Sequence, residues 1–407
     1  MHIDGAEALP AIASAIEGAQ SSVHVAGWHI AATFELRHEG GRRSVRDVLA
    51  AAAERVPVRV LAWAGSPVPL FHPWRSEVRR SRDELVRGTR IRCELDAHNR
   101  PMHCHHEKLV IVDGHVAFIG GIDLTDLGGN RFDRHPHPSR PGLGWHDVAT
   151  RLEGPAVRDV GEHFAMRWHA ITGEALESPA DQPPDGGSTV QVVRTVPEHT
   201  YDAVPNGDFS LFEVVTGALR AARRLVYIEN QFLWSSEVVR ILEDRLRQPD
   251  DDLRVVLVLP ARPNNGSDDT RGQVDVLNQA DEHGRLLACT VGPVGAAVDA
   301  VYVHAKVTIV DDRWMSIGSG NLNEHSLYND TEVNVVTDDV ALVRATRERL
   351  WEEHLGHDRG TGMDPVQAVD ELWRPALDGS APIRRLRLTS RRSSRLLGPL
   401  QTLVVDG

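Results

Sequence analysis

The chain is expected to fold as an α/β protein of two similar α-β-α layered halves with a shared site between them, and three features of the sequence predict it. A motif recurs: His106, Lys108 and Asp113 are repeated 198 positions later as His304, Lys306 and Asp311. The same offset carries Gly120 to Gly318, Gly121 to Ser319 and Asp123 to Asn321. Around both copies, apolar runs of strand length alternate with stretches of helical period, which favours a layered α/β sandwich. Lys108 and Lys306 are also the only two lysines in 407 residues, while the other 43 of the 45 basic side chains are arginine. A chain that writes arginine everywhere else has kept lysine at the two motif positions.

The elements follow in order. The first half predicts a helix over 6–19, a strand at Ser22–Trp28, a helix over 43–55 and a strand at Pro57–Trp63. The second half repeats them at 210–223, Arg224–Glu229, 236–247 and Leu253–Leu259. Each motif then enters a hairpin, Lys108–Asp113 into Val116–Ile119 and Lys306–Asp311 into Trp314–Ile317. A strand and a long helix follow each hairpin, over 146–170 and 331–354. The Pro, Gly, Ser and Asp content of Gly173–Ser188 marks a solvated connection. The division expected is a first half at 1–172, a linker at 173–195, a second half at 196–358 and a C-terminal extension at 359–407. Asp123 to Asp147 spans 24 residues where Asn321 to Glu332 spans 11, so the first half carries a longer loop that suits one wall of a cleft.

Composition excludes several classes. With 41% apolar and 25% charged residues the chain is an ordinary globular one, and no apolar run is long enough to cross a bilayer. The opening residues lack a secretion signal, and Cys93, Cys104 and Cys289 make no disulfide framework, so a cytoplasmic location is expected. A net charge of −13 argues against a nucleic-acid partner and means that an anionic substrate needs a local positive site.

Strand alternation puts His106 with Lys108, and His304 with Lys306, on one face, while Asp113 and Asp311 have the opposite parity and are expected to tie down the turn that follows. The small residues Gly120, Gly121, Gly318 and Ser319 let a ligand approach the backbone before Asp123 and Asn321. An imidazole, an ammonium and an amide from each half suit a tetrahedral oxyanion. Neutral imidazole attacks phosphorus while a second, protonated imidazole gives its proton to the leaving alcohol. A compact ammonium suits the equatorial oxygens better than the planar guanidinium fork. Each ring also needs an acceptor on its other nitrogen, and Asp147 and Glu332 stand at matching places, with a surface salt bridge as the lesser alternative for each.

At this point the chain resembles the phospholipase D superfamily, whose paired His-x-Lys-x4-Asp-x6-Gly-[Gly/Ser]-x-[Asp/Asn] pattern it carries from the strand ending in Trp28 to Leu355-Gly356. Gly120-Gly121-Ile122-Asp123-Leu124, Trp145-His146-Asp147-Val148, Arg167-Trp168 and Glu229-Asn230-Gln231 are similar to segments of the eukaryotic-type enzymes. The resemblance implies the phospholipase D fold and a two-step mechanism without metal or other cofactor. It makes His106 the nucleophile and His304 the acid, with Asp147 and Glu332 orienting them. Lys108, Lys306, Asn321 and, by position, Ser319 and Asp123 hold the phosphate. Asp123 departs from the asparagine usual there, since an ionised carboxylate cannot donate to phosphate. Trp28, Trp145, Glu229, Asn230 and Gln231 line the pocket, with helix capping as the alternative for the last three.

The partners implied are a glycerophospholipid and a water or alcohol acceptor, with peripheral contact at the inner membrane surface and no oligomer required. A cardiolipin-synthase-like transferase, a nuclease and a non-catalytic lipid-binding protein are the alternatives. His103, Cys104, His105 and His106 look like a metal cluster, but alternation splits them between two faces and no second ligand pair lies nearby in sequence, so no metal is expected. The Arg384, Arg385, Arg387, Arg391, Arg392 and Arg395 tail, interleaved with leucines, suits anionic lipid or a solvated edge.

Overall fold

Six strands in one order form the middle of both sheets in the computed structural model. In the first sheet Val148–Glu153, Val116–Gly120, Leu109–Val112, Val23–Gly27, Val58–Trp63 and Arg92–Asp96 lie side by side, with His2–Ile3 added beyond Val148–Glu153. In the second the order is Glu332–Thr337, Trp314–Gly318, Val307–Val310, Leu225–Glu229, Arg254–Val258 and Leu286–Val291. That sheet gains an edge strand at each end, Val190–Thr195 and Ile383–Arg385. The structure describes residues 1–386 apart from 38–40, 68–71, 101, 126–143, 179–181, 185, 249–251, 262, 264–266, 293–300, 357–360 and 379–381.

The expected helices and strands are present in both halves, each within a few residues of its sequence bounds. Val23–Gly27 runs parallel to Val58–Trp63 and antiparallel to Leu109–Val112, and Leu225–Glu229 makes the same two kinds of pairing in its own sheet. These central strands are almost wholly buried, which is why Val, Ile and Leu run on without polar alternation. Helices Asp4–Glu17 and Val45–Ala53 cover the outer face of the first sheet, and Ser210–Ala221 and Ser236–Leu246 cover that of the second. Between the sheets, Leu109, Ile119, Phe164 and Trp168 pack with Val333 and Val335 of the other half, and Ile3 and Val148 join the apolar core of the second half. The inner faces are therefore one continuous interior.

Two of the expected boundaries move. Val190–Thr195 falls inside the expected linker but pairs along its whole length with Glu332–Thr337, so the connection ends before it. The C-terminal extension contributes Ile383–Arg385 to the second sheet and buries Val369, Trp373 and Leu377 in its core. Of the arginine tail, Arg384 and Arg385 belong to this edge strand, while the arginines from 387 onward lie outside the described residues. Most of the long first-half loop, 126–143, also lies outside them.

Asp113 and Asp311 are structural, but they hold the preceding loop rather than the following turn. Asp113 accepts the N–H groups of Gln20, Ser21 and Ser22, where the first helix turns into its strand. Asp311 accepts those of Arg223, Arg224 and Leu225 at the equivalent place. Both sit in the left-handed backbone region, with φ of 57° and 56°, which aspartate tolerates better than most residues. One residue type thus closes the hairpin and anchors the central strand.

Candidate active site

Backbone crossings between the halves set the site before any side chain does. Thr331 O accepts the N–H of His106 at 3.0 Å and of Glu107 at 3.1 Å, and His146 O accepts those of His304 at 2.8 Å and Ala305 at 3.1 Å. Val301–Val303 runs parallel to Gly144–His146, and His105 bridges to Thr331. The residue after each accepting carbonyl is then delivered to the histidine of the opposite half. His106 Nδ1 lies 2.9 Å from Glu332 Oε1, and His304 Nδ1 lies 2.7 Å from Asp147 Oδ2.

The lysines complete each pair. Lys108 Nζ donates to His106 O at 2.5 Å, and Lys306 Nζ donates to His304 O and, at 3.3 Å, to Gln231 Oε1. His106, Lys108, His304 and Lys306 are all at most 8% exposed, so their charges act in a poorly screened interior. Burial, Lys306 and Lys108 bring the His304 imidazole down to about 3, against the opposing pull of Asp147. Both ammonium groups therefore act on that ring.

The two orienting carboxylates differ. Burial would raise Asp147, but His304 and Lys306 outweigh it and hold the group below the usual range. Burial pushes Glu332 up to about 8, although Lys108 and two hydroxyls oppose it. Those hydroxyls are Ser319 Oγ, donating to Oε2, and Ser326 Oγ, donating to Oε1, both at 2.5 Å. In the first half the place of Ser319 is taken by Gly121, where an added Cβ would stand 2.1 Å from Asp147 Oδ1. Gly120 and Gly318 are pressed as closely, against Val148 O and the Asn334 amide.

Several expected roles are corrected. Ser319 faces Glu332, so it braces the orienting carboxylate rather than a phosphate. Asp123 accepts from the backbone of His29 and Leu124 and stands 4.0 Å from Lys108 Nζ, so it positions that lysine. Glu229 is sealed in the core rather than lining a pocket: His146 Nε2 at 2.6 Å, His354 Nε2 at 2.9 Å and Tyr227 all bond it. Asn230 accepts the N–H of Phe232 and Leu322 and so shapes the loop carrying Asn321, which is itself buried. The helix at 236–246 is capped by Ser235, not by this triplet. Gln231 alone of the three reaches the site.

Trp145 does stand there, stacked 4.6 Å from Tyr302 and tilted against the His304 ring at 4.9 Å, while Trp28 stacks on Trp63 beside Cys104. Tyr302 and Ser326 were not singled out in the sequence. Tyr302 lies two residues before His304, so strand parity points it to the same side and could have found it. Ser326 sits in a short π-helical turn that gives no local signal.

A family model described as cardiolipin synthase, PLD-like domain, matches residues 215–353. Phospholipase D1 of Schizosaccharomyces pombe is 25% identical, covering 93% of this chain and 38% of that protein. Cardiolipin synthase A of Pseudomonas entomophila is 26% identical over 98% of this chain and 74% of its own length. The phosphatidylserine synthase structure from Haemophilus influenzae superposes with a TM-score of 0.56 at 14% identity, covering 91% of this chain and 92% of that one, a likeness of fold. These matches support membership of the phospholipase D superfamily. It spans only 38%, 35% and 49% of the first three phospholipase D relatives.

Proposed function

We propose that this chain is a phosphodiesterase and phosphatidyltransferase of the phospholipase D kind, acting on the head-group diester of a glycerophospholipid. The observation that carries the reading is the crossed pairing of each histidine with the other half's carboxylate, with a lysine beside each ring. His106, its proton held on Nδ1 against Glu332, attacks phosphorus through Nε2, and the bond to the head-group oxygen breaks as His304 protonates that oxygen. His304 then takes a proton from water or an alcohol, whose oxygen attacks phosphorus and breaks the P–N bond. Lys108, Lys306 and the Asn321 amide stabilise the equatorial oxygens. A diester anion between the lysines offsets their charge and lifts His304 toward its protonated form. Access to lipid is by peripheral contact: no helix among the described residues is long and apolar enough to cross a membrane.

Relatives named as cardiolipin synthases support a second acceptor, the hydroxyl of another phospholipid. The test is to incubate purified protein with phosphatidylcholine, phosphatidylglycerol or single-stranded DNA, with and without ethanol, and identify products. Phosphatidylethanol is expected with ethanol, and phosphatidic acid without it. A cardiolipin product from phosphatidylglycerol alone favours the second acceptor, and cleavage of DNA with no lipid product refutes the reading.

A further inference from the structure

Three side chains outside the reacting pairs converge on one point at the seam between the halves. His103 Nδ1 stands 3.0 Å from His325 Nδ1 and 3.4 Å from Asp330 Oδ1, across more than 220 residues of chain. These three residues form a group whose ligand atoms all lie within 4.8 Å of one another. A single hydrogen on His103 Nδ1 serves only one of these two neighbours, and Asp330 Oδ1 also accepts the Cys104 N–H at 2.8 Å. A tetrahedral cation with nitrogen and oxygen ligands at about 2.1 Å has ligand-to-ligand edges of about 3.4 Å, close to the spacing found. Among the described residues, His325 Nε2 and Asp330 Oδ2 are also buried without a hydrogen-bond partner.

We infer that His103, His325 and Asp330 form a binding site for a zinc-class divalent cation that clamps the two halves together. The His103 side chain is 12% exposed, which gives an ion a way in, while His325 and Asp330 are buried. His325 opens a π-helical turn, a distortion often found at functional sites. The clamp fastens the segment 103–106 to 330–332, so it fixes the backbone that brings His106 to Glu332. It takes no part in the proposed transfer. The sequence could not reveal it, since the ligands that complete the set come from the far half.

His146, Glu229 and His354 form a second group of this kind, but there the rings bond different oxygens of one carboxylate and Tyr227 adds a third donor. Hydrogen bonding accounts for those contacts.

The test is metal binding rather than turnover. Chelator-treated protein is titrated with cobalt(II) and zinc, reading cobalt ligand-field absorption and metal content after gel filtration, with circular dichroism as the folding control. Expected are about one ion per chain with a tetrahedral cobalt spectrum, and a loss of affinity beyond ~100-fold in His103→Ala and His325→Gln, more than loss of an outer partner costs. His354→Gln should bind as the parent does. Equal binding by the parent and folded His103→Ala, binding lost only in His354→Gln, or no binding by the parent overturns the inference. If His325→Gln does not fold, the part-exposed His103→Ala variant decides the matter alone.

Discussion

The two halves supply the same backbone to the site and brace it differently. Asp147 meets His304 pressed against Gly121, with no hydroxyl donating to it among the described residues, whereas Glu332 meets His106 while accepting from both Ser319 and Ser326. The longer glutamate leaves room for a serine at the place where the aspartate tolerates only a glycine. Position within the repeat therefore decides which residue acts, and local packing decides how firmly it is held. In the proposed transfer one ring becomes a nucleophile and the other an acid, and the unequal braces suit those unequal tasks.

Removing a ring breaks the comparison most severely. His106→Ala should abolish acid-labile label trapped on the protein from labelled lipid and lower turnover by ~10³-fold or more, whereas label persisting in that variant removes His106 as the nucleophile. Lys306→Arg should cost ~10- to 100-fold in kcat, because a planar fork replaces a compact ammonium also tied to Gln231; near-parental kcat would mean that either cation serves. Gly121→Ser makes the first half imitate the second. Its Cβ falls on Asp147 Oδ1, so a loss of ~1 to 3 kcal/mol in denaturant unfolding is expected together with slower turnover. An unaffected Gly121→Ser would show that the carboxylate has room to move.

A further difference lies in the sealed network behind Asp147. Burial alone would raise Glu229, but His146 and His354 outweigh it and hold it well below its ordinary 4.5. Burial would lower His146, but Glu229 and Asp4 hold it well above its ordinary 6.5. A depressed acid adds stability above its unfolded value and loses it as pH falls through the folded one. A raised base adds stability below its unfolded value and loses it as pH rises through the folded one. The melting temperature lost in Glu229→Gln should then be largest between pH 4.5 and 6.5 and shrink on both sides, and a flat difference would disprove the charge pairing. Smallest of all, Ser326→Ala should cost about 1 kcal/mol and leave the first half's bond between Asp147 and His304 untouched.

Most of the fold was legible because duplication printed each element twice. An apolar run at 224–229 confirmed the reading of 22–28, and the hairpins followed from the two motifs. The edge strands were not legible: Val190–Thr195 follows a Pro- and Gly-rich stretch, and Ile383–Arg385 is too short and basic to stand out. The structure brings together the four motif residues and two carboxylates that the sequence singles out, but the crossing of the carboxylates was not legible. Asp147 and Glu332 differ by 185 positions rather than the 198 of the motifs, and only the docking of the halves decides which ring each one meets. Glu229 misled because a carboxylate at a strand end reads alike whether it faces a ligand or two buried histidines.

The exchange of carboxylates across the seam also bears on how such a chain matures. During synthesis the first half emerges with its histidine unsteadied, because the acid that fixes that ring is encoded 226 residues further on. By the proposed mechanism, competence toward diesters then arrives only when both halves have closed on each other.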